Sequence, residues 1–353
     1  MPICFNRDSS GYDLLKAANI SCGRPPVEFR GSTANCLEVG LVNNMPGKAL
    51  RATERQFITL LDSAAEGIVV RLWLYSLPDV PRTDSGRRHI DSFYDRIDNL
   101  WDRPLDGLIV TGTEPRAADL VDEPHWPNMK RLIEWAERNT RSTVWSCLAA
   151  HAALLHTDGI VRRRLSEKRF GLFKCKWVSD HQLLSGVPLP MMVPHSRWND
   201  VCEDELTSSG YRVLTRAQHA GADMFVKQRR SLFVFLQGHS EYEANTLLLE
   251  YMRDVGRFLR RESDNYPQIP EAYFESDTVA AMKALQSEVL SDQPEKVLAD
   301  LRTVLSARHL ANTWHLPAVR IYGNWLRFLC ASKLRRLGVQ RSCETPYSVT
   351  NSA

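Results

Sequence analysis

Between residues 36 and 265 short apolar runs alternate with amphipathic stretches, and this alternation constrains the fold more than any other feature. Residues 37–42 (LEVGLV) read as a buried strand, and residues 49–65 as an amphipathic helix with Phe57, Leu60 and Leu61 on its apolar side. Residues 68–75 form a second strand, 91–101 a candidate helix, and 105–111 (LDGLIVT) a third strand. Residues 127–139 are a helix, and 143–147 a fourth strand that runs straight into another helix. Strands buried on both sides and separated by helices predict a parallel sheet covered on both faces. Residues 162–221 are less regular and rich in short elements. Residues 231–236 (SLFVFL) return to the buried-strand pattern, followed by a long helix over 243–261. After Tyr266-Pro267 the pattern becomes helical, with two or three helices over 277–338, one of them spanning 311–337. The expected organisation is a leader over 1–35, an α/β domain over 36–265 and a mostly helical extension over 266–353. Gly23, Pro25 and Pro26 break any regular element in the leader.

Composition excludes several classes of function. The 353 residues carry 45 basic and 42 acidic side chains, a net charge of +3, which gives no reason to expect a nucleic-acid or anionic-membrane partner. No run approaches the roughly 20 apolar residues that cross a bilayer, and the start lacks the basic and apolar segments of a secretory signal. The eight cysteines, at 4, 22, 36, 147, 175, 202, 330 and 343, form no CxxC pair. Isolated thiols in a chain of this length point to a reducing compartment, the cytoplasm, and no metal is expected.

Two strand ends carry the chemistry. Residues 143–151 (TVWSCLAAH) end an apolar strand at Cys147 and begin a small-residue helix immediately after it. Open α/β sheets bind ligands beyond the carboxyl ends of their strands, and the positive end of the following helix favours a thiolate there. A free cysteine is as often a small buried core residue, so this segment alone leaves both readings open. The strand over 231–236 ends in Gln237-Gly238-His239-Ser240-Glu241-Tyr242. A histidine followed two residues later by a glutamate suits a nucleophile–base–orienter set, although many strand-end loops contain such residues.

Several ordered motifs together are more specific. They are residues 42–48 (VNNMPGK), 105–112 (LDGLIVTG), 145–154 around Cys147, Glu167-Lys168, Gly171, 194–198 (PHSRW), 238–242 (GHSEY), Arg253-Asp254 and 323–326 (GNWL). In this order the chain resembles the homoserine O-acyltransferase family usually called homoserine O-succinyltransferase, over about residues 36–330. The resemblance implies a class I glutamine-amidotransferase-like, flavodoxin-like α/β fold. It implies an acyl-thioester nucleophile at Cys147, a proton-accepting His239 and a second catalytic residue at Glu241. It places substrate contacts on Lys168, Ser196 and Arg253, with Lys48 and Arg197 as second-rank candidates and His195 as structural. No bound cofactor is implied. The co-substrate is acyl-CoA, the acceptor is homoserine, and a homodimer is an admissible assembly.

The chain departs from the family pattern at three places. His151 stands where Gln is usual, four residues after the nucleophile, so it is a rival base on the same helix face. Ser240 replaces a Pro. The loop after Gly112 reads Thr113-Glu114-Pro115-Arg116, and Arg116 falls at the position that influences donor choice in the family. An arginine there favours the carboxylate of a succinyl donor over the methyl of an acetyl donor, unless Glu114 pairs with it. The open alternatives are an acetyl donor, a serine acceptor and a glutamine-amidotransferase-like hydrolase. The last typically has glycines flanking its nucleophile, which this chain lacks.

Overall fold

The computed structural model describes residues 3–5, 36–288, 294–306 and 310–336; the readings for the rest of the leader and for residues 337–353 lie outside them. Among the described residues ten strands form one sheet: β1 Ile3–Phe5, β2 Cys36–Val42, β3 Val69–Tyr75, β4 Gly107–Val110, β5 Ser142–Ser146, β6 Arg163–Trp177, β7 Met191–Asp200, β8 Arg212–Ala217, β9 Gly221–Gln228 and β10 Leu232–Leu236. Their spatial order is β1-β3-β2-β4-β5-β10-β9-β8-β6-β7. From β1 to β10 every pairing is parallel. From β10 outward every pairing is antiparallel.

The helices are α1 Gly47–Ala64, α2 Asp84–Phe93, α3 Ile97–Trp101, α4 Trp126–Asn139, α5 Leu148–Asp158, α6 Glu203–Ser208, α7 Thr246–Leu259, α8 Ser276–Glu288, α9 Pro294–Ser306 and α10 His315–Arg336. Alternate residues of each central strand face opposite layers. Val144 of β5 and Leu232, Val234 and Leu236 of β10 pack with α1 (Phe57, Leu61) and α10 (Trp325, Leu326). Trp145, Phe233 and Phe235 pack with α4 (Leu132, Ile133) and α5 (Ala149, Ala153). A third cluster joins α7, α8 and α9 to Phe170 and Leu172 of β6. The sheet is thus covered on both faces, as the alternation predicts.

The stretch over 162–221 differs from its reading as short irregular elements: it holds the antiparallel strands β6, β7 and β8, and with β9 these form the outer part of the sheet. The reason lies in β6, whose first seven residues are polar except for Leu165 and largely outside the core, so no period of two marks them. Its register with β7 also shifts between Arg164 and Arg169. Gly171 of β6 has φ +140°, and a Cβ on it would lie 2.3 Å from the Glu271 nitrogen. The chain at Glu271 bridges to Gly171 there, so only glycine lets the two backbones meet.

Candidate active site

Cys147 sits where β5 ends and α5 begins, next to the end of β10, to which β5 pairs in register from Ser142 to Ser146. Its backbone has φ 52° and ψ −116°, a strained conformation for a residue with a side chain. The Cys147 amide donates to Leu236 O at 2.7 Å, which anchors the bend to β10. The bend forms without flanking glycines because space is provided from outside. A Cβ on Gly112, at the end of β4, would lie 2.7 Å from Leu148 Cβ and 2.9 Å from its nitrogen. The bare Gly112 therefore lets the first turn of α5 pass close to the next strand end. Asn44, from the motif after β2, braces the same edge by donating from its backbone nitrogen to Thr111 Oγ1 (2.8 Å) and accepting from the Leu77 amide at its side-chain Oδ1 (3.2 Å).

The turn after β10 brings His239 to Cys147. Glu241 Oε1 lies 2.8 Å from His239 Nδ1, which leaves Nε2 for the thiol, and the ring hydrogen-bonds Cys147. Burial depresses the His239 pKa, but the charges of Cys147 and Glu241 and their hydrogen bonds outweigh it and hold the imidazole well above its ordinary value. Tyr242 stacks on the ring at 4.3 Å between centroids, 17° from parallel. The rival base is elsewhere: His151 is 2 % exposed, with its Nδ1 unpartnered, and burial followed by the charges of Arg197 and Arg162 pushes its pKa down to about 3. It is a neutral core histidine.

A second cluster adjoins this one. Lys168, in the register shift of β6, lies 3.2 Å from Asp254 Oδ2 and 3.6 Å from Glu250 Oε2. Ser196 of β7 donates to Glu250 Oε2, and the Tyr242 hydroxyl donates to Glu250 Oε1 at 2.6 Å. Arg253 is half exposed and donates to Asp254 Oδ1 at 2.8 Å, so its pairing with Asp254 is present in the structure. Sequence reasoning missed Glu250 and Tyr242. The available signal was helical spacing, because Glu250, Asp254 and Arg257 recur at i, i+4 and i+7 along α7 and share a face.

The donor loop corrects one expectation. Glu114 does not pair with Arg116 but reaches Arg257 of α7 at 3.4 Å. Arg116 is exposed rather than buried, so it carries no large desolvation cost against a methyl-ended donor. Its loop is held instead by the buried Glu123, whose Oε1 accepts from the amides of Arg116 (2.6 Å) and Ala117 (2.9 Å).

Behind the histidine, Cys175, His195 and Asp223 bring their donor atoms within 4.8 Å of one another and are all buried. These are metal-ligand types, but both oxygens of Asp223 and the Nδ1 of His195 are already engaged. Asp223 accepts from the Gly238 amide (3.1 Å) and Thr215 (3.0 Å), and Arg197 donates to His195 Nδ1 (3.2 Å). A guanidinium in contact with the imidazole opposes a cation there, and the cluster braces the Gly238 turn. Arg197, 4 % exposed, belongs to this brace. The side chain of Lys48 lies outside the described ones.

A doubly covered α/β sheet that gathers a strained strand-end cysteine, a histidine and a glutamate at the carboxyl edge of its strands is the framework of cysteine-dependent α/β enzymes. Comparison with known proteins narrows this class. The sequence profile of homoserine O-succinyltransferase matches residues 2–335, and the chain belongs to that family. A homoserine O-succinyltransferase of Rhodopseudomonas palustris is 48 % identical over 297 residues, 84 % of this chain and 89 % of the relative. One from Methylorubrum extorquens is 44 % identical, over 82 % of this chain and 86 % of the relative. One from Cardiobacterium hominis is 33 % identical, over 92 % and 91 %. Among solved structures, a glutamine amidotransferase of Methylobacillus flagellatus aligns with 89 % of this chain and 99 % of its own at 16 % identity and a TM-score of 0.44. Among the described residues no helix is long and apolar enough to cross a membrane.

Proposed function

We propose that this enzyme transfers the succinyl group of succinyl-CoA to the hydroxyl of L-homoserine, in the cytoplasm and in the service of methionine biosynthesis, through a thioester on Cys147. The observation that carries the reading is His239 held between Cys147 and Glu241 at adjacent strand ends, in a chain of this family.

The Cys147 thiolate attacks the succinyl thioester carbonyl. Its oxyanion develops beside the first free amides of α5, at Leu148 and beyond, because the Cys147 amide is already given to Leu236. The tetrahedral intermediate collapses, the C–S bond to CoA breaks, and CoA thiolate leaves with the proton of the His239 imidazolium. Homoserine then enters. Neutral His239 accepts its hydroxyl proton as the oxygen attacks the acyl-cysteine, and the second collapse regenerates the thiolate–imidazolium pair. Glu241 fixes the Nδ1–H tautomer and stabilises the charged ring. Arg253, which spends one edge of its guanidinium on Asp254, retains N–H groups for the homoserine carboxylate, with Lys168 and Ser196 lining the pocket. The partly buried carboxylate of Glu250 suits the substrate ammonium. The exposed Arg116 offers a charge-assisted partner to the succinyl carboxylate, and the pairing of Glu114 with Arg257 leaves that charge available.

Incubation with succinyl-CoA and no acceptor should add one succinyl mass to the peptide containing Cys147, and homoserine should discharge it. An adduct on Cys175 or Cys202, or normal turnover in Cys147→Ser, would overturn the assignment.

A further inference from the structure

The nucleophile and the acceptor pocket account for the acyl end of the donor, but most of an acyl-CoA molecule is its pantetheine arm and phosphorylated adenosine. One feature bordering the site has the chemistry for that end. Trp198 of the edge strand β7 is 42 % exposed, which leaves much of an indole open to solvent. It lies two residues beyond Ser196, so strand alternation puts both on the same side of β7, about 7 Å apart. The Arg164 guanidinium covers part of the ring at 4.6 Å from its centroid. Among the described residues Arg164 has no carboxylate within ion-pair distance, whereas its neighbour Arg163 is paired with Glu205. Arg162 lies close enough for the Arg164 charge to act on it. One of its terminal nitrogens donates to Ala118 O at 2.7 Å, and the other is buried without a partner. Ala118 belongs to the loop that starts at Gly112 beside the nucleophile. The carboxylates that act on Arg162 are Glu123, engaged by two backbone amides, and the exposed Asp119.

We propose that Trp198, Arg164 and Arg162 form the subsite for the phosphorylated adenosine end of the acyl-CoA donor, the indole stacking on the adenine and the two guanidiniums meeting the phosphates. This assignment rests on the acyl-transfer reading above. An indole face is a sequence-tolerant stacking platform for a base, and arginine matches phosphate oxygens with paired N–H groups. Transfer through a covalent intermediate lets donor and acceptor use one cleft in turn, so a nucleotide platform next to the acceptor pocket creates no conflict. The loop over 113–118 separates the two ends of the donor, with Arg116 toward the acyl group and Ala118 toward the nucleotide.

The test compares succinyl-CoA with succinyl-pantetheine, which lacks the nucleotide, in wild type, Trp198→Ala and Arg164→Glu. The expected result is a tenfold or larger fall in kcat/KM for succinyl-CoA in each variant, with less than twofold change for succinyl-pantetheine. Equal losses on both donors, or none on either, would overturn the proposal while leaving wild-type acyl transfer intact. If the wild type fails to acylate homoserine at all, the functional reading falls. The subsite is then tested by calorimetric titration with free CoA, where unchanged affinity in Arg164→Glu and Trp198→Ala overturns it.

Discussion

His151 and His239 are four and ninety-two residues from Cys147, the proposed nucleophile, in the chain, and the nearer one is the one that folding removes from it. Helical spacing makes His151 a plausible base on paper, but α5 is buried over its first seven residues, so its i+4 position points into the core and not into the cleft. Burial there suppresses the charged imidazole. Replacing His239 with Ala should lower turnover by about a hundredfold or more. His151→Gln should retain turnover within about twofold; a collapse of activity in that variant, with His239→Ala unaffected, would reverse the two roles. The pH dependence of stability separates them further. The unfolded chain takes up a proton on His151 near pH 6.5, whereas the folded chain resists it down to about 3. Stability is therefore present above 6.5 and is lost as pH falls through that window, by at most about 1.4 kcal/mol per pH unit. Denaturant titrations between pH 7.5 and 5 should show a shallower acid loss in His151→Gln than in wild type, and parallel slopes would contradict the assignment.

At the scale of elements, Gly171 illustrates how the outer strands build the proposed acceptor pocket. Lys168 and Ser196 lie on β6 and β7, and the chain around Glu271 crosses β6 at Gly171, donating from the Glu271 nitrogen to Phe170 O at 2.9 Å and accepting from the Leu172 amide at 2.8 Å. A methyl group there overlaps backbone, which cannot swing aside as a flexible side chain can. Gly171→Ala should cost about 3 kcal/mol or more in denaturant unfolding and raise the KM for homoserine more than that for the acyl donor. Wild-type stability would show that the crossing can shift. The same region marks where sequence reading lost its hold. The parallel half was legible because its strands are buried on both faces and announce themselves as continuous apolar runs. The strand-end positions of Cys147 and His239 followed from those runs, and the Cys147–His239–Glu241 set was visible as residue types. The antiparallel half was not legible, because β6 begins with polar residues and carries a register shift that masks its period. Glu250 was missed because an acidic residue on a charged helix reads as solvated until Ser196, Tyr242 and Lys168 are seen to converge on it.

For the whole molecule, the described part of the chain beyond residue 265 packs into the fold through its last helix. Its α10 lies against the same face of the sheet as α1, and Trp325, 1 % exposed, donates from its indole to Ser142 Oγ at 3.0 Å at the start of the strand that carries Cys147. The fit is close: a Cβ on Gly107 of β4 would lie 2.8 Å from the Trp325 ring and 2.5 Å from Leu329. One turn earlier, the fully buried Tyr322 stands within electrostatic reach of Glu241; burial first, and then the Glu241 charge, raise its phenol well above the usual range. The helix thus anchors the start of β5 through Trp325 and sets Tyr322 within electrostatic reach of the turn after β10. Trp325→Ala should remove a large side chain from a site whose neighbours are held by the sheet and cannot collapse around the gap. The expected loss is about 3–5 kcal/mol of stability by denaturant unfolding. Turnover by the fraction that remains folded should fall as well, since the strand bearing Cys147 loses its anchor at Ser142. A loss below about 1 kcal/mol would mean that α10 merely rests on the sheet.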